Sequence, residues 1–213
     1  MDFPILMADV INSGGRNPAL LMQQLKDVVT TINKEKGANL ISPLTITLGD
    51  EFQGLSNSME NGINTIFDIE EKIVHKQYNL KLRYVLYFGQ IETEINNKIA
   101  YEMLGEGLTN ARKELNSLKN KEVRFKIRLT KNELNKETYL NKAFSIYQNF
   151  VDSWKEKDLK IVKEFLLHED YKTVAKNVNI DPSNAWRRKK SLNIHEYNHI
   201  KNIILFILNP NHE

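Results

Sequence analysis

The chain has 213 residues, 41% of them hydrophobic and 27% charged, with a formal net charge of +3 and no cysteine. This length supports one large domain or two smaller ones with a sizeable core. The lack of Cys excludes disulfides and thiolate metal sites and suits a cytoplasmic protein. No apolar run is long enough to cross a bilayer, and the start, MDFPILMADV, lacks the basic region and cleavage site of a signal peptide, so no membrane partner is expected. Any metal must be held by carboxylates or imidazoles, which favours Mg2+, Mn2+ or Ca2+ over a structural zinc.

Phe3–Val10 is an apolar run with Asp9 near its end and has the length of a buried strand. After the loop INSGGR, Asn17-Pro18 reads as an N-cap and first helical residue. Leu21, Leu25, Val28 and Ile32 line one face of a helix that runs to about Lys36 and stops at Gly37. Leu44, Ile46 and Leu48 alternate with threonines as a half-buried strand. Gly49-Asp50 turns it, and Glu51–Ser56 returns as its partner. A second helix spans roughly Met59–His75, with Glu70 interrupting its apolar stripe. A strand follows from Leu80 to about Ile91, and INNKIAYEML suggests a short hairpin turning at Asn96-Asn97. A third helix covers about Glu106–Leu118, and Val123–Thr130 alternates as a last strand. Beyond Thr130 the pattern is helical throughout. The expected fold is an α+β sandwich of ferredoxin-like, palm type (residues 1–134) followed by an all-α domain (135–213).

In this topology the end of the first strand and the turn of the following strand pair fall at one edge of the sheet. Asp9 and Asp50 would face each other there, with Glu51 beside them. Carboxylates converging from separate segments repel one another unless a cation lies between them, and Mg2+ takes one or two carboxylates while water and phosphate oxygens fill its other positions. The backbone from Val10 through Ile11, Asn12, Ser13, Gly14 and Gly15, ahead of a helix N-terminus, is a candidate triphosphate cradle. Arg83, Arg112, Lys126 and Arg128 are candidate phosphate ligands, against the commoner reading of each as an exposed strand or helix charge. A lone Gly-Asp-Glu is itself more often a solvated turn, but a carboxylate closing a buried strand calls for a partner.

"ADVINS" followed by "TLGDEFQG" resembles the metal-binding pair of the palm-type nucleotidyl cyclases. "GDEF" is similar to the second half of the diguanylate cyclase signature, with Leu48 in place of one Gly. The whole pattern most resembles the SatD family: Asp9–Ser13, the Thr47–Gly54 hairpin, Gly105–Arg112 and a helical segment after Thr138. The resemblance implies a palm-like domain with its site at these motifs. It departs from the class III cyclases, which carry an Asn and, four residues later, an Arg on one helix. In "GLTNARKEL", Asn110 and Arg112 are two apart and do not share a face.

The excess positive charge lies after Trp154, where 11 Lys and Arg face 8 Asp and Glu. There "YKTVAKNVNIDPSNAWRRKKS" reads as a helix-turn-helix. Val174, Ala175, Val178, Ile180 and Ala185 would pack, and Trp186 could supply the apolar residue missing at Arg188. Ser183, Asn184, Arg187, Arg188 and Lys190 would face DNA. The alternative is a helical bundle with a solvated basic face. His195 and His199 share a helix spacing but lack a third ligand and read as surface residues; "HIKNIILFIL" reads as a core helix, or a dimer seam.

The expected function is a DNA-binding regulator whose cyclase-like domain takes Mg2+ or Mn2+ at Asp9, Asp50 and Glu51, together with a nucleotide. A homodimer is the natural reader of a palindrome. The alternatives are an active cyclase or other nucleotide-processing enzyme using two-metal chemistry, and a vestigial site in an interaction protein. No catalytic residue is assigned.

Overall fold

The computed structural model describes residues 1–12 and 17–209. The element order is β1 (Asp2–Val10), α1 (Pro18–Lys36), β2 (Leu40–Leu48), β3 (Glu51–Ser56), α2 (Met59–His75), β4 (Leu82–Gln90), α3 (Glu106–Ser117) and β5 (Phe125–Arg128). Then come α4 (Leu134–Ser153), α5 (Leu159–Leu167), α6 (Tyr171–Val178), α7 (Pro182–Ser191) and α8 (Ile194–Leu208). The sheet order is β2-β3-β1-β4-β5; all pairings are antiparallel except β4–β5. The first four strands have the ferredoxin-like arrangement, so β1 is central and buried on both faces.

Alternation along the strands sorts the two faces. Leu6, Ala8 and Val10 of β1 join the main core, with Leu25, Val28 and Ile32 of α1 and Ile63, Ile66 and Phe67 of α2. Ile5 and Met7 face the other way, against Ala111 and Leu115 of α3. Each fully buried aliphatic or aromatic side chain contributes about 1.5–3 kcal/mol. Helix α1 begins as its sequence requires: the Asn17 side chain accepts from the amides of Ala19 (3.0 Å) and Leu20 (3.2 Å), with Pro18 in the first turn. Gly37 does not end α1 through a left-handed cap. Its φ of −55° is right-handed, and the chain tightens into a 3-10 turn at Gly37–Asn39.

Two other expectations are corrected. INNKIAYEML forms no hairpin; residues 91–105 are an irregular loop closed at its base by Glu92 N–H to Leu104 O (2.9 Å) and laid over β2 and β3. Ala100 N–H donates to Thr45 Oγ1 (2.8 Å), and Gln53 Nε2 donates to Ala100 O. Loop-to-strand bonds therefore replace the strand ladder expected of a hairpin turning at Asn96-Asn97. The last strand is shorter than its alternation, four residues rather than eight, because α4 takes over its edge. Asn141 accepts from Ile127 N–H (3.0 Å) and donates to Ile127 O (2.9 Å), Gln148 accepts from Arg124 N–H (2.9 Å), and Glu137 accepts from Leu129 N–H (3.0 Å). These side chains imitate a neighbouring strand and leave the edge with no template for pairing.

Glu70, the interruption in the α2 stripe, is buried for a reason. Arg124 grips both its oxygens (3.0 and 2.6 Å), the Tyr84 hydroxyl donates to it (2.7 Å), and Arg124 also reaches Leu82 O (3.0 Å) and Asp152 (2.9 Å). The carboxylates around Arg124 outweigh its burial and hold the guanidinium firmly protonated. Stacked Tyr84 and Phe125 lie beside this pair, and Phe125 continues through Phe144 and Tyr147 to Tyr197. One apolar core thus runs from the sheet into α4 and α8.

Candidate functional site

Register brings Asp9 of β1 opposite Glu51 of β3 on one side and Arg83 of β4 on the other. All three fall on the α3 face of the sheet, in line with Met7 and Val85. Helix α3 lies tight on that face because Gly107 has no side chain: a Cβ there would come within 2.6 Å of the Gly89 backbone. The helix then carries Arg112 to Glu51, with which it forms an ion pair without hydrogen-bond geometry. Lys119, just beyond the helix end, stands 3.9 Å from Asp9 Oδ2 and 3.9 Å from Glu51 Oε1.

Asp9 is 3% exposed. Its Oδ2 accepts from Arg83 at 2.7 Å, whereas its buried Oδ1 has no hydrogen-bond partner among the described residues. Burial raises the Asp9 pKa; Arg83 and Lys119 oppose the rise, and Asp50 adds to it. On β2, the Thr47 hydroxyl oxygen is also buried without a hydrogen-bond partner among the described residues.

The three expected carboxylates do not all converge. Asp9 and Glu51 meet across the β1–β3 ladder, while Asp50 stays in the turn after Gly49 (φ +49°), where its carbonyl accepts from Val10 N–H (3.0 Å). Among the described residues no group of three or more acidic or imidazole side chains forms a metal-binding cluster. Of the expected phosphate cradle, Val10 N–H is taken by Asp50 O and Ile11 N–H by Lys81 O (2.8 Å), so neither amide is free to cradle a phosphate. Asn12 has positive φ (56°), and Ser13, Gly14 and Gly15 lie outside the described residues. Lys126 and Arg128 lie on β5, separated from β1 by β4, and Arg128 is engaged by Glu114 (2.5 Å) and Glu137 (2.8 Å). Sequence reasoning missed Lys119. No helical spacing marked it, because it lies in the turn after α3.

The basic segment has the expected secondary structure. Asp170 caps α6 through the amides of Lys172 and Thr173 (3.2 and 3.0 Å). Asn179 takes the left-handed conformation (φ 58°) between α6 and α7, as a turn residue in place of Gly can. Val174, Ala175 and Ala185 are buried. Ser183, Asn184, Arg187 and Lys190 are exposed on α7, with Arg187 bonded to Asn184 (2.6 Å). Two expectations fail here. Arg188 folds back onto buried Asp158 (2.5 Å) and is not offered to a ligand, because a buried carboxylate needs a counter-ion. Trp186 is 45% exposed, covered by Lys190 (3.9 Å to the ring), and does not enter the core. His195 and His199 are exposed, with rings 3.9 Å apart, and the face of α8 bearing Ile200, Ile204 and Leu208 is core.

The family model described as "SatD family" matches residues 4–206. The chain belongs to the SatD family. Comparison with curated proteins returned no match. Among solved structures, this SatD chain is similar to a bacterial light-regulated adenylyl cyclase (16% identity, TM-score 0.45, 60% of this chain and 43% of that one). It is also similar to the guanylate cyclase domain of RhGC from Catenaria anguillulae in complex with GTP (16%, TM-score 0.35, 52% and 70%). The guanylyl cyclase Cya2 is a third similar structure (12%, TM-score 0.34, 53% and 68%). The SatD chain spans less than half the length of the light-regulated cyclase.

Proposed function

We propose that this SatD-family chain is a DNA-binding regulator whose sheet corner takes a divalent cation together with a nucleotide, residues 1–134 forming the nucleotide part and 135–213 the DNA part. The reading rests above all on Asp9 Oδ1, a carboxylate oxygen buried beside Glu51 with no hydrogen-bond partner among the described residues. Two carboxylates are too few for an all-protein cage but suit Mg2+ or Mn2+, which would draw its remaining ligands from water and phosphate oxygens. Such an ion would neutralise phosphate charge, and Arg83, Arg112 and Lys119 stand where the remaining negative charge would need cations. Asp50 would act on the site as a nearby charge. On α7, Ser183, Asn184, Arg187 and Lys190 are the exposed side chains that would meet DNA, and a palindromic target would require two copies of the chain.

Titration calorimetry with Mg2+ and a panel of nucleoside triphosphates tests the corner: binding should be lost in Asp9→Ala, and equal binding by that variant would sink the assignment. Fluorescence anisotropy with duplex DNA at several salt concentrations tests the helices. Arg187→Ala should weaken binding and flatten the salt slope by about one unit. An unchanged slope would remove α7 from the interface. The enzyme reading is less favoured, since Asn110 and Arg112 stand two apart on α3 and Asn110 is bonded to Glu106 (3.2 Å). Chromatography showing nucleotide turnover that Asp9→Ala abolishes would reinstate it.

A further inference from the structure

Between α5 and the α6–α7 turn runs a groove of about 500 Å3. Its floor is aliphatic, formed by half-buried Ile161, Val178 and Ile180. Its rim carries exposed Lys157, Lys160 and Arg187, none of which has a carboxylate within salt-bridge distance among the described residues, whereas the fourth rim cation, Arg188, is taken by Asp158. Elsewhere on the described surface some cations meet acids, as Lys36, Lys72, Lys76, Lys81 and Lys136 do, and others do not, so what sets this rim apart is the apolar floor beneath it. A merely solvated basic face needs no apolar floor, and a phosphodiester backbone would engage the rim but leave the floor wet.

We propose that this groove docks an acidic, amphipathic segment of a partner protein. Apolar side chains at helical spacing would fill the floor and their flanking Asp or Glu would meet Lys157, Lys160 and Arg187. Charge complementarity selects this occupant: a basic or neutral segment would leave three unpaired cations crowded at its edges. Asn184 and Arg187 line the groove and also belong to the face that α7 offers to DNA. Partner and DNA therefore exclude one another. Docking stands without the DNA reading; only the competition rests on it.

The probe is a display library of random helical peptides selected on the full chain. Enriched peptides should be acidic, with apolar residues at i, i+3 or i+4. Lys157→Glu/Lys160→Glu should bind them at least about tenfold more weakly, as expected when charge pairs at an interface turn repulsive. Both positions are exposed, so this variant keeps the fold, which a thermal melt checks; Ile161→Ser tests the floor separately. No enrichment, or peptides that bind the charge-reversed variant as tightly as wild type, overturns the proposal. So does a reversal that weakens duplex DNA binding while no selected peptide discriminates, because the cations then belong to the DNA face. Selected peptides that require Lys157 and Lys160 while the chain binds no DNA would uphold docking and refute the DNA reading instead.

Discussion

Arg124→Met tests whether the sheet and the helices are held by one buried ion pair. The substitution keeps most of the volume but removes a guanidinium that makes two bonds to Glu70 (3.0 and 2.6 Å) and one each to Leu82 O (3.0 Å) and Asp152 (2.9 Å). Glu70, 8% exposed, is then left with the Tyr84 hydroxyl alone. Breaking one side of a buried pair costs about 3–5 kcal/mol. For a chain of this size that lowers the melting temperature by roughly 6–20 °C, at 2–4 °C per kcal/mol. Urea denaturation of Arg124→Met, Glu70→Leu and the double variant measures it. The double variant should be less destabilised than the sum of the singles by about 1–3 kcal/mol, because the second change removes the orphaned charge. A single-variant loss below about 1 kcal/mol, or strict additivity, would show that the pair is not desolvated as described.

At the sheet corner, the raised Asp9 pKa gives a definite sign. Its contribution to stability is fully present below the unfolded-state carboxylate range and is lost as pH rises through the folded value, since the native state then gives up a proton it held more tightly. A cation needs that proton gone, so calorimetric Mn2+ affinity should increase from acidic to neutral pH in wild type and show no such increase in Asp9→Asn. Arg112→Ala frees Glu51, so Mn2+ alone should bind more tightly while Mg2+-triphosphate binds more weakly; a parallel change in both would separate Arg112 from phosphate. Asn141→Leu strips both partners from the Ile127 amide and carbonyl. It should cost about 1–3 kcal/mol and promote self-association detectable by sedimentation. Asn179→Ala should destabilise by about 1–2 kcal/mol through its left-handed backbone, and Asn179→Gly should not; equal melting temperatures would contradict the turn.

Much of this fold is legible locally. Asn17-Pro18 and Ser58 start helices α1 and α2 because a cap needs only its own next few amides. Asp170 does the same for α6, and Asn179 turns the chain within four residues. Less legible were features whose partners lie far along the chain. Glu70 looked like a flaw in a stripe because Arg124 is 54 residues away. The 91–105 loop carried hairpin signals, but Gln53 and Thr45 hold it as a cover over the sheet. Arg188 sat in a basic run, yet Asp158, 30 residues earlier, needs it as a counter-ion.

The same division runs through the candidate site. Sequence alone placed Asp9 at the end of a buried strand and Asp50-Glu51 on the next hairpin, because alternation and a Gly-led turn are properties of short segments. Only tertiary structure decided which carboxylate meets which. One residue of register puts Glu51, and not Asp50, opposite Asp9, and the absence of a side chain at Gly107 lets α3 bring Arg112 and Lys119 down onto both. Register and close approach are set by the whole sheet and its covering helix, so the balance of charge at that corner could not be read from the residues that carry it.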